Sequence, residues 1–448
     1  MQSRRLENET ERKADSASMG AVESIMQLNG LKYRIPQPIS SAVSRSYKRE
    51  FAQKGQYLKG NTIVFDWNTG TNYVNPDTAL LSFSFNLTLA ADPGGNREFT
   101  WAGSLGGAAL FREIRIISKN GVEVDRIQDA ALLSKILVDY TVGPDGQAML
   151  EMADGYGSIN IPTVDDGTTT LDAPVQCVIP MKYLSGFFRP VVEGMLIPAG
   201  LASGMRIEIQ LVSEPELALV QEQGVVPIAF TVDDAVMILE TSALNDPTQA
   251  ALMAESTSNG LEYTYPSYYS TQLSTAAGAN TTTQINKAVS QGTRMFLALQ
   301  EPIAAAPGDE IKVDSYASLG GVAVQDYQFR VGQSYFPNQT VTKTTEKLVF
   351  AQAAWSSLRK LDFQPNSVGY NQYFGPWVQT DDETRSRGKA IVATSLETSD
   401  RLNLSGLPLN NASTGEIRFK CAVAARGVLF LEFISVSRTS GNRTQIKI

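Results

Sequence analysis

GGAALFREIRIISKNGVEVDRIQDAALLSKILVDY, residues 106–140, reads as strand, tight turn, strand and helix. Leu110, Ile114, Ile116 and Ile117 give the first strand its aliphatic bulk. Asn120-Gly121 is a strong hairpin signal, because both central residues of a type I′ turn need positive φ. On the return, Val122 and Val124 share one face while Glu123 and Asp125 share the other. Asp129 is placed to cap a helix in which Leu132, Leu133, Ile136, Leu137 and Tyr140 recur at helical spacing. No nucleophile or titratable constellation sits in the stretch, so it reads as architecture.

Working outward, the same strand grammar continues. Residues 79–90, ALLSFSFNLTLA, alternate cleanly: Leu81, Phe83, Phe85, Leu87 and Leu89 on one face, Ser82, Ser84, Asn86 and Thr88 on the other. Pro93-Gly94-Gly95-Asn96 marks a turn, with Arg97 to Ala102 returning. Thr62–Trp67, Val175–Ile179, Val191–Ile197 and Met205–Leu211 complete about eight strands between residues 60 and 213. The Gly- and Asp-rich run Val142–Asp172 reads as a surface loop, and Glu214–Gly224 as a charged connector.

The second half repeats the pattern. Strands are expected at Phe230–Glu240, in the tyrosine-rich LEYTYPSYYS (261–270), and at Arg294–Leu299, Tyr327–Val331, Lys389–Leu396, Ile417–Val423 and Val428–Val436. Helices are expected at Asp246–Glu255, with Pro247 in its first turn, and at Thr345–Leu358. Asn120 and Asn338, each at the pivot of an expected hairpin, lie 218 residues apart. Leu184-Ser185-Gly186 recurs as Leu404-Ser405-Gly406 at an offset of 220. Two landmarks at nearly one offset, close to half the chain, indicate internal duplication. The expected organisation is an N-terminal arm (1–50), a first β-domain (51–222) and a second (223–448).

Composition restricts function. With 448 residues, two domains are the default. The N-terminal residues, MQSRRLENETERKADSAS, are charged and lack the apolar run of a secretory signal. A net charge of −8 argues against gripping nucleic acid through its phosphates, and Arg4-Arg5, Lys48-Arg49 and Arg385/Arg387/Lys389 are only modest basic clusters. The histidine count is zero, which removes Ser-His-Asp and Cys-His catalysis and His-ligated metals. It also implies little side-chain titration between about pH 5.5 and 7.5. Two cysteines cannot build a Cys₃ or Cys₄ site; Cys177 and Cys421 alternate with apolar strand residues and read as buried free thiols, a disulfide being the alternative.

Acidic pairs are the remaining route to chemistry. Asp165-Asp166, Asp233-Asp234 and Asp381-Asp382-Glu383 lack calcium-loop spacing, and neighbours on a strand point to opposite faces. Gly103–Gly107 and Gly320-Gly321 lack the Lys-Ser/Thr of a phosphate-binding loop. Tyr263, Tyr265, Tyr268 and Tyr269, with no basic stripe beside them, read as core or interface. No catalytic, cofactor-binding or metal-ligating residue is assigned. The rival from another class is a β-sandwich carbohydrate-binding or glycoside-cleaving protein, which needs a concave face with converging carboxylates.

Several segments together resemble the double jelly-roll major capsid proteins, nearest those of polinton-like viruses and virophages within the adenovirus-like lineage. They are Asp125-Arg126-Ile127, Leu132-Leu133, Leu137 and Asp139-Tyr140; then Ile179-Pro180-Met181, Leu184-Ser185-Gly186-Phe187-Phe188, Met195-Leu196-Ile197-Pro198 and Arg206-Ile207-Glu208-Ile209. The similarity runs from about residue 55 onward and is best over 106–211. It implies an all-β fold of two tandem eight-stranded jelly rolls with short inserted helices. It further implies a homotrimer with a pseudo-hexagonal outline, tiled with neighbouring capsomers, penton and minor capsid proteins into an icosahedral shell of a double-stranded DNA virus. On that reading the arm orders on assembly, and surplus apolar residues such as the tyrosine cluster serve the trimer contact.

Overall fold

The computed structural model describes residues 42–448 apart from 91–96, 103–104, 157–160, 166, 172, 193, 216–217, 221–226, 301–322, 356–367, 369–372, 374–388, 398–405, 411–413 and 441–442. The chain divides into a unit of residues 1–43 and one of 44–448, and both sandwich cores lie in the second. The expected turn at 93–96 and the first forty-one residues of the expected arm lie outside the described residues.

Eight strands build the first half: β1 (Ala42–Phe51), β2 (Thr62–Asp66), β3 (Tyr73–Leu89), β4 (Phe111–Ile117), β5 (Glu123–Gln128), β6 (Val175–Pro180), β7 (Arg206–Leu211) and β8 (Pro227–Leu244). They form two sheets, ordered β1-β8-β3-β6 and β2-β7-β4-β5. Eight more build the second half: β9 (Leu261–Thr275), β10 (Asn280–Ile285), β11 (Val289–Gln300), β12 (Val324–Val331), β13 (Ser334–Val341), β14 (Ile391–Ser395), β15 (Gly415–Cys421) and β16 (Ala425–Ser440). Their sheets run β9-β16-β11-β14 and β10-β15-β12-β13. Every strand of the second half thus takes the place of the strand eight earlier. Two antiparallel sheets with these four strands each in this order make a jelly roll, used here twice; Gln56–Leu58 adds to β8, Leu407–Leu409 to β11 and Arg443–Lys447 to β16. A helix follows the fifth strand of each roll: α1 (Ala130–Thr141) after β5 and, beyond α2 (Pro144–Asp154) and the connecting α3 (Asp246–Ser258), α4 (Thr344–Trp355) after β13.

The alternation read in residues 79–90 holds in β3, where Leu81, Phe83, Phe85, Leu87 and Leu89 are all buried. They face Ile63 and Phe65 of β2, Ile114 and Ile116 of β4 and Ile207 and Ile209 of β7 within one core. Phe83 meets Phe111 edge-on at 5.7 Å and Phe85 meets Trp101 at 5.0 Å. Each such side chain contributes roughly 1.5–3 kcal/mol on burial. The second roll's core packs Met295, Leu297 and Leu299 of β11 against Phe329, Ile417 and Phe419. Cys177 belongs to the first core and Cys421 to the second; both are buried, and neither is in a disulfide.

Several elements differ from the sequence reading. The hairpin at Asn120-Gly121 is present, but among the described non-glycine residues only Asp129 and Asp234 have positive φ, so the turn is not type I′. Gly121 N–H donates to Ser118 O at 2.9 Å and Ser118 N–H to Val122 O at 2.8 Å, with Gly121 at φ 75°. This is a type I turn closed by a glycine bulge. In the second roll the equivalent turn is Gly332-Gln333, between paired Val331 and Ser334, and Pro337-Asn338 lies inside β13. β8 hydrogen-bonds to β3, so Phe230–Glu240 belongs to the first roll's sheet and not to the second domain. β1 joins the same sheet, so the end of the expected arm is a strand; Ser46 Oγ lies 3.2 Å from Thr241 Oγ1.

Val142–Asp172 is not only loop: Pro144 at the first turn and Gly155 in the left-handed region bound α2, and Ile161–Val164 is a strand. That strand pairs with Arg97–Trp101, which in turn pairs with Leu219–Val220 and not with β3. Among its described residues Val191–Ile197 forms no strand: Ile197 makes an isolated bridge with Val74, and Val191 N–H donates to Thr264 O at 3.0 Å.

Because only Gly121 uses positive φ, Gly121→Ala should cost about 1 kcal/mol and Asn120→Ala less than half of that. Urea denaturation of the two variants checks this; equal losses restore the type I′ turn.

Candidate functional site: the seam between the jelly rolls

The described residues with the most demanding chemistry gather where the two rolls meet. β5, α1 and the turn Leu184–Arg189 come from the first roll, while β9, β11, β16 and Lys389 come from the second. β9 alternates so that Tyr263 and Tyr265 enter the first roll. Their hydroxyls donate to Phe187 O at 2.6 Å and Val124 O at 2.7 Å. Phe187 meets each of the two rings at 5.2 Å.

Between those tyrosines and Ser267 the backbones nearly touch. A Cβ on Gly186 would sit 1.9 Å from Pro266 O, so only glycine fits. Beside it, Asp125 is 3% exposed and accepts hydrogen bonds from Ser185 Oγ of its own roll and Ser267 Oγ of the other, each at 2.6 Å. Burial pushes its carboxyl up to about 6, against the pull of those two hydroxyls and of the Arg126 and Phe187 amides.

Two further carboxylates are neutralised across the seam. Asp139 on α1 contacts Lys135 Nζ and the second roll's Lys389 Nζ, each at 2.8 Å, and accepts from Tyr156 Oη at 2.7 Å. Burial acts to raise this carboxyl, but the two ammonium groups hold it well below the usual range. Glu432 on β16 pairs with Arg294 at 2.8 Å and with the first roll's Arg189 at 3.9 Å. Arg189 also donates to Tyr268 Oη. Arg294 lies 4.3 Å over the Trp355 ring, which stacks on Tyr140 of α1 at 5.9 Å. Asp129 does not cap α1: at φ 55° it turns instead to Ser270 Oγ (3.1 Å) and Gln272 Nε2 (2.8 Å) of β9.

The candidates for other chemistry scatter. Asp233 accepts from Asn86 Nδ2 at 2.7 Å on β8, while Asp234 sits at φ 51° in a bulge, so the two do not converge. Asp165 O closes a turn with Thr168. Asp166, Asp381–Glu383, Arg385, Arg387, Gly103 and Gly320-Gly321 lie outside the described residues. Gly106–Leu110 is a short 3₁₀ turn into β4, and a Cβ on Gly107 would lie 2.9 Å from Cys177 Sγ, so this glycine serves close packing. Lys48 pairs with Glu50 at 2.8 Å, and Lys389 pairs with Asp139 at 2.8 Å. Tyr263, Tyr265 and Tyr268 are buried within this one chain, which corrects their expected use as surplus surface for a trimer contact. Sequence reasoning missed the seam carboxylates because their partners lie far along the chain. It also missed that Asp125 titrates near 6, inside the window that the absence of histidine was expected to leave quiet.

The chain is similar in fold to solved viral capsid proteins. VP54 of PBCV-1, fitted into a reconstruction of the virophage Sputnik, aligns over 93% of this chain and 99% of its own at 12% identity and TM-score 0.59. The Faustovirus major capsid protein aligns over 90% and 93% at 8% identity and TM-score 0.56. The Sputnik virophage structure aligns over 94% and 91% at 12% identity and TM-score 0.55. No family model and no curated protein matches the sequence. At such identities the likeness is one of fold, and the fold is a double jelly roll.

In the folded chain Asp125 keeps its proton up to about pH 6. Unfolded, it releases it near 3.9. The folded state therefore binds more protons between these values, and stability from this group falls as pH rises from about 4 to about 6. Asp139 has the opposite sense: its contribution is present above about 4 and fades only in stronger acid. The stability of the parent minus that of Asp125→Asn should drop by ~2 kcal/mol between pH 4 and 6.5 in denaturant melts. A flat difference refutes the assignment. Gly186→Ala should cost roughly 1–3 kcal/mol or more, since backbone must give way to backbone.

Proposed function

We propose that this chain is the major capsid protein of a virus with an icosahedral shell, a structural subunit and not an enzyme. The observation that carries the reading is one eight-strand topology used twice in register, over a span that matches solved capsid proteins almost end to end. Three such chains would place six similar sandwiches around an axis, giving a trimer of pseudo-hexagonal outline that tiles with its neighbours. Penton and minor capsid proteins would complete the shell, and the chain's place would be the virion. A glycoside-cleaving alternative draws no support from converging carboxylates: the buried acids of the seam are each tied to donors or cations.

The strand pairings support moving the proposed domain limits. The first roll would run from 42 to 244 instead of 51 to 222, with α3 as connector and the second roll from 261 to 448, in place of 223 to 448. The arm would shorten to residues 1–41 and act between capsomers during assembly. A permanent trimer of this kind should bury well over ~2,000 Å² at each interface.

Size-exclusion chromatography with light scattering, followed by negative-stain microscopy, tests the reading. The expected particle has three times the 48.6 kDa chain mass and a hexagonal outline. A monomer that binds glycans overturns the proposal. Removing residues 1–41 should leave trimers intact and impair shell formation; trimers that collapse without them refute the role given to the arm.

A further inference from the structure

The seam joins two unlike surfaces, and the duplication supplies each of them twice. One is an edge of the first roll, β5, whose Val124 O and Asp125 accept from Tyr265 and Ser267 of β9. The other is a face of the second roll, the side of the sheet β9-β16-β11-β14 turned away from its own core. Met295, Leu297, Leu429 and Leu431 belong to the second roll's core, while their neighbours Phe296, Ala298, Val428 and Phe430 belong to the first roll's. One chain therefore uses the first roll's edge and the second roll's face. The second roll's edge and the first roll's face are left over.

Both of these lie open among the described residues. β13 stands where β5 stands, one roll on, and of its eight residues only Val341 is buried. Tyr335 on β13 is 45% exposed, and Val349 on α4 is 37% exposed. β1 stands where β9 stands, and none of residues 44–51 is buried. Ala52 N–H donates to Ala235 O at 3.0 Å, which sets Phe51 beside Val236 on the side of the sheet turned away from the core. Tyr47, four residues back along the strand, shares that side. Val236 and Ile238 of β8 pair with Ser82 and Leu80 of β3, and Ser82 pairs in turn with Val178 of β6. Leu80, Val178, Val236 and Ile238 are only half-buried, so with Tyr47 and Phe51 they make an apolar patch. Its counterpart in the second roll is covered by the first roll.

We propose that the contact between copies repeats the seam: β13 and the start of α4 of one copy dock on the outward face of β1, β8, β3 and β6 of the next. This rests on the trimeric reading above and names the surfaces that meet in it. The occupant is a second copy of this chain, because the kind of edge that covers the counterpart face is itself present, and unused, on the second roll. An edge against a face is a heterologous contact, which runs one way round and closes into a ring. Alternating with the seam, it gives three chains the same junction between all six rolls. Tyr335 on one side and Tyr47 and Phe51 on the other are the aromatic type that anchors interfaces.

The test uses the full-length protein, with light scattering as the readout. A parent that is not a trimer overturns the trimeric reading and this inference with it; a trimeric parent makes the variants a test of the contact alone. Tyr47→Glu with Phe51→Glu damages the face, and Tyr335→Glu with Val349→Glu damages the edge. Each double variant should run at the 48.6 kDa mass of one chain, with the circular dichroism spectrum of the parent, since all four side chains are exposed. Mixing the two should give particles of twice that mass, because the first still has its edge and the second its face, and one good junction remains. Trimers that survive either double variant overturn the proposal. So do two monomeric variants whose mixture stays monomeric, since that result denies that edge and face are each other's partners.

Discussion

The rest of the molecule depends on the close approach of Gly186 to Pro266. That contact lets Ser185 and Ser267 reach the same carboxylate from opposite sides. The charges around it follow one rule, in which a partner comes from the other roll. Asp139 of the first roll meets Lys389, and Glu432 of the second meets Arg189. Buried pairs of this kind add little net stability compared with apolar packing, but breaking one strands an uncompensated charge. Each carboxylate also keeps a cation of its own roll, Lys135 for Asp139 and Arg294 for Glu432, so the other roll supplies the second partner and not the first. The seam fixes the relative placement of the rolls by making other placements costly.

Much of the fold was legible in local pattern. The alternation at 81–89, the hairpin at 120–121 and the helical spacing of Leu132, Leu133, Ile136 and Leu137 each rest on nearest-neighbour physics, and each element is present. Strand existence survived better than strand partnership. Arg97–Trp101 follows β3 in sequence but pairs with residues about sixty and one hundred and twenty positions onward. β8 looked like the opening of a second domain because it follows a charged connector; its partner, β3, lies about 150 residues earlier and leaves no mark on nearby sequence. Val191–Ile197 has strand composition, but its described residues make one bridge and no continuous ladder. The duplication is present, but neither landmark carries it: Pro337-Asn338 was the wrong pivot, glycine at 332 with φ 60° making the turn, and Leu404-Ser405 lies outside the described residues.

The seam itself was nearly invisible in the sequence. Asp125 alternates with valine as a solvent-facing strand residue would, yet it is buried, with Ser185 of its own roll and Ser267 of the other as donors. Tyr263 and Tyr265 carried a signal, since an aromatic run without basic residues pointed to packing, and their hydroxyls do find backbone carbonyls. Asp129 shows a local rule overridden: an aspartate ahead of a helix is a natural cap, yet donors on β9 draw it away. Pairing across more than a hundred residues is the common reason for these failures.

The position of β8 and β16 also constrains how the polypeptide emerges from a ribosome. Each is the eighth strand of its roll, followed in the second roll only by the short strand Arg443–Lys447, yet each lies in the interior of its sheet, β8 between β1 and β3 and β16 between β9 and β11. Until residues 227–244 exist, the flanking strands have a gap where their shared neighbour belongs, with unsatisfied amides on both sides of it. The second gap closes only with residues 425–440. A nascent chain of this kind is slow to complete by topology alone, because its most central pairings have the longest sequence separations. Until then the flanking edges face water and are open to pairing with other strands.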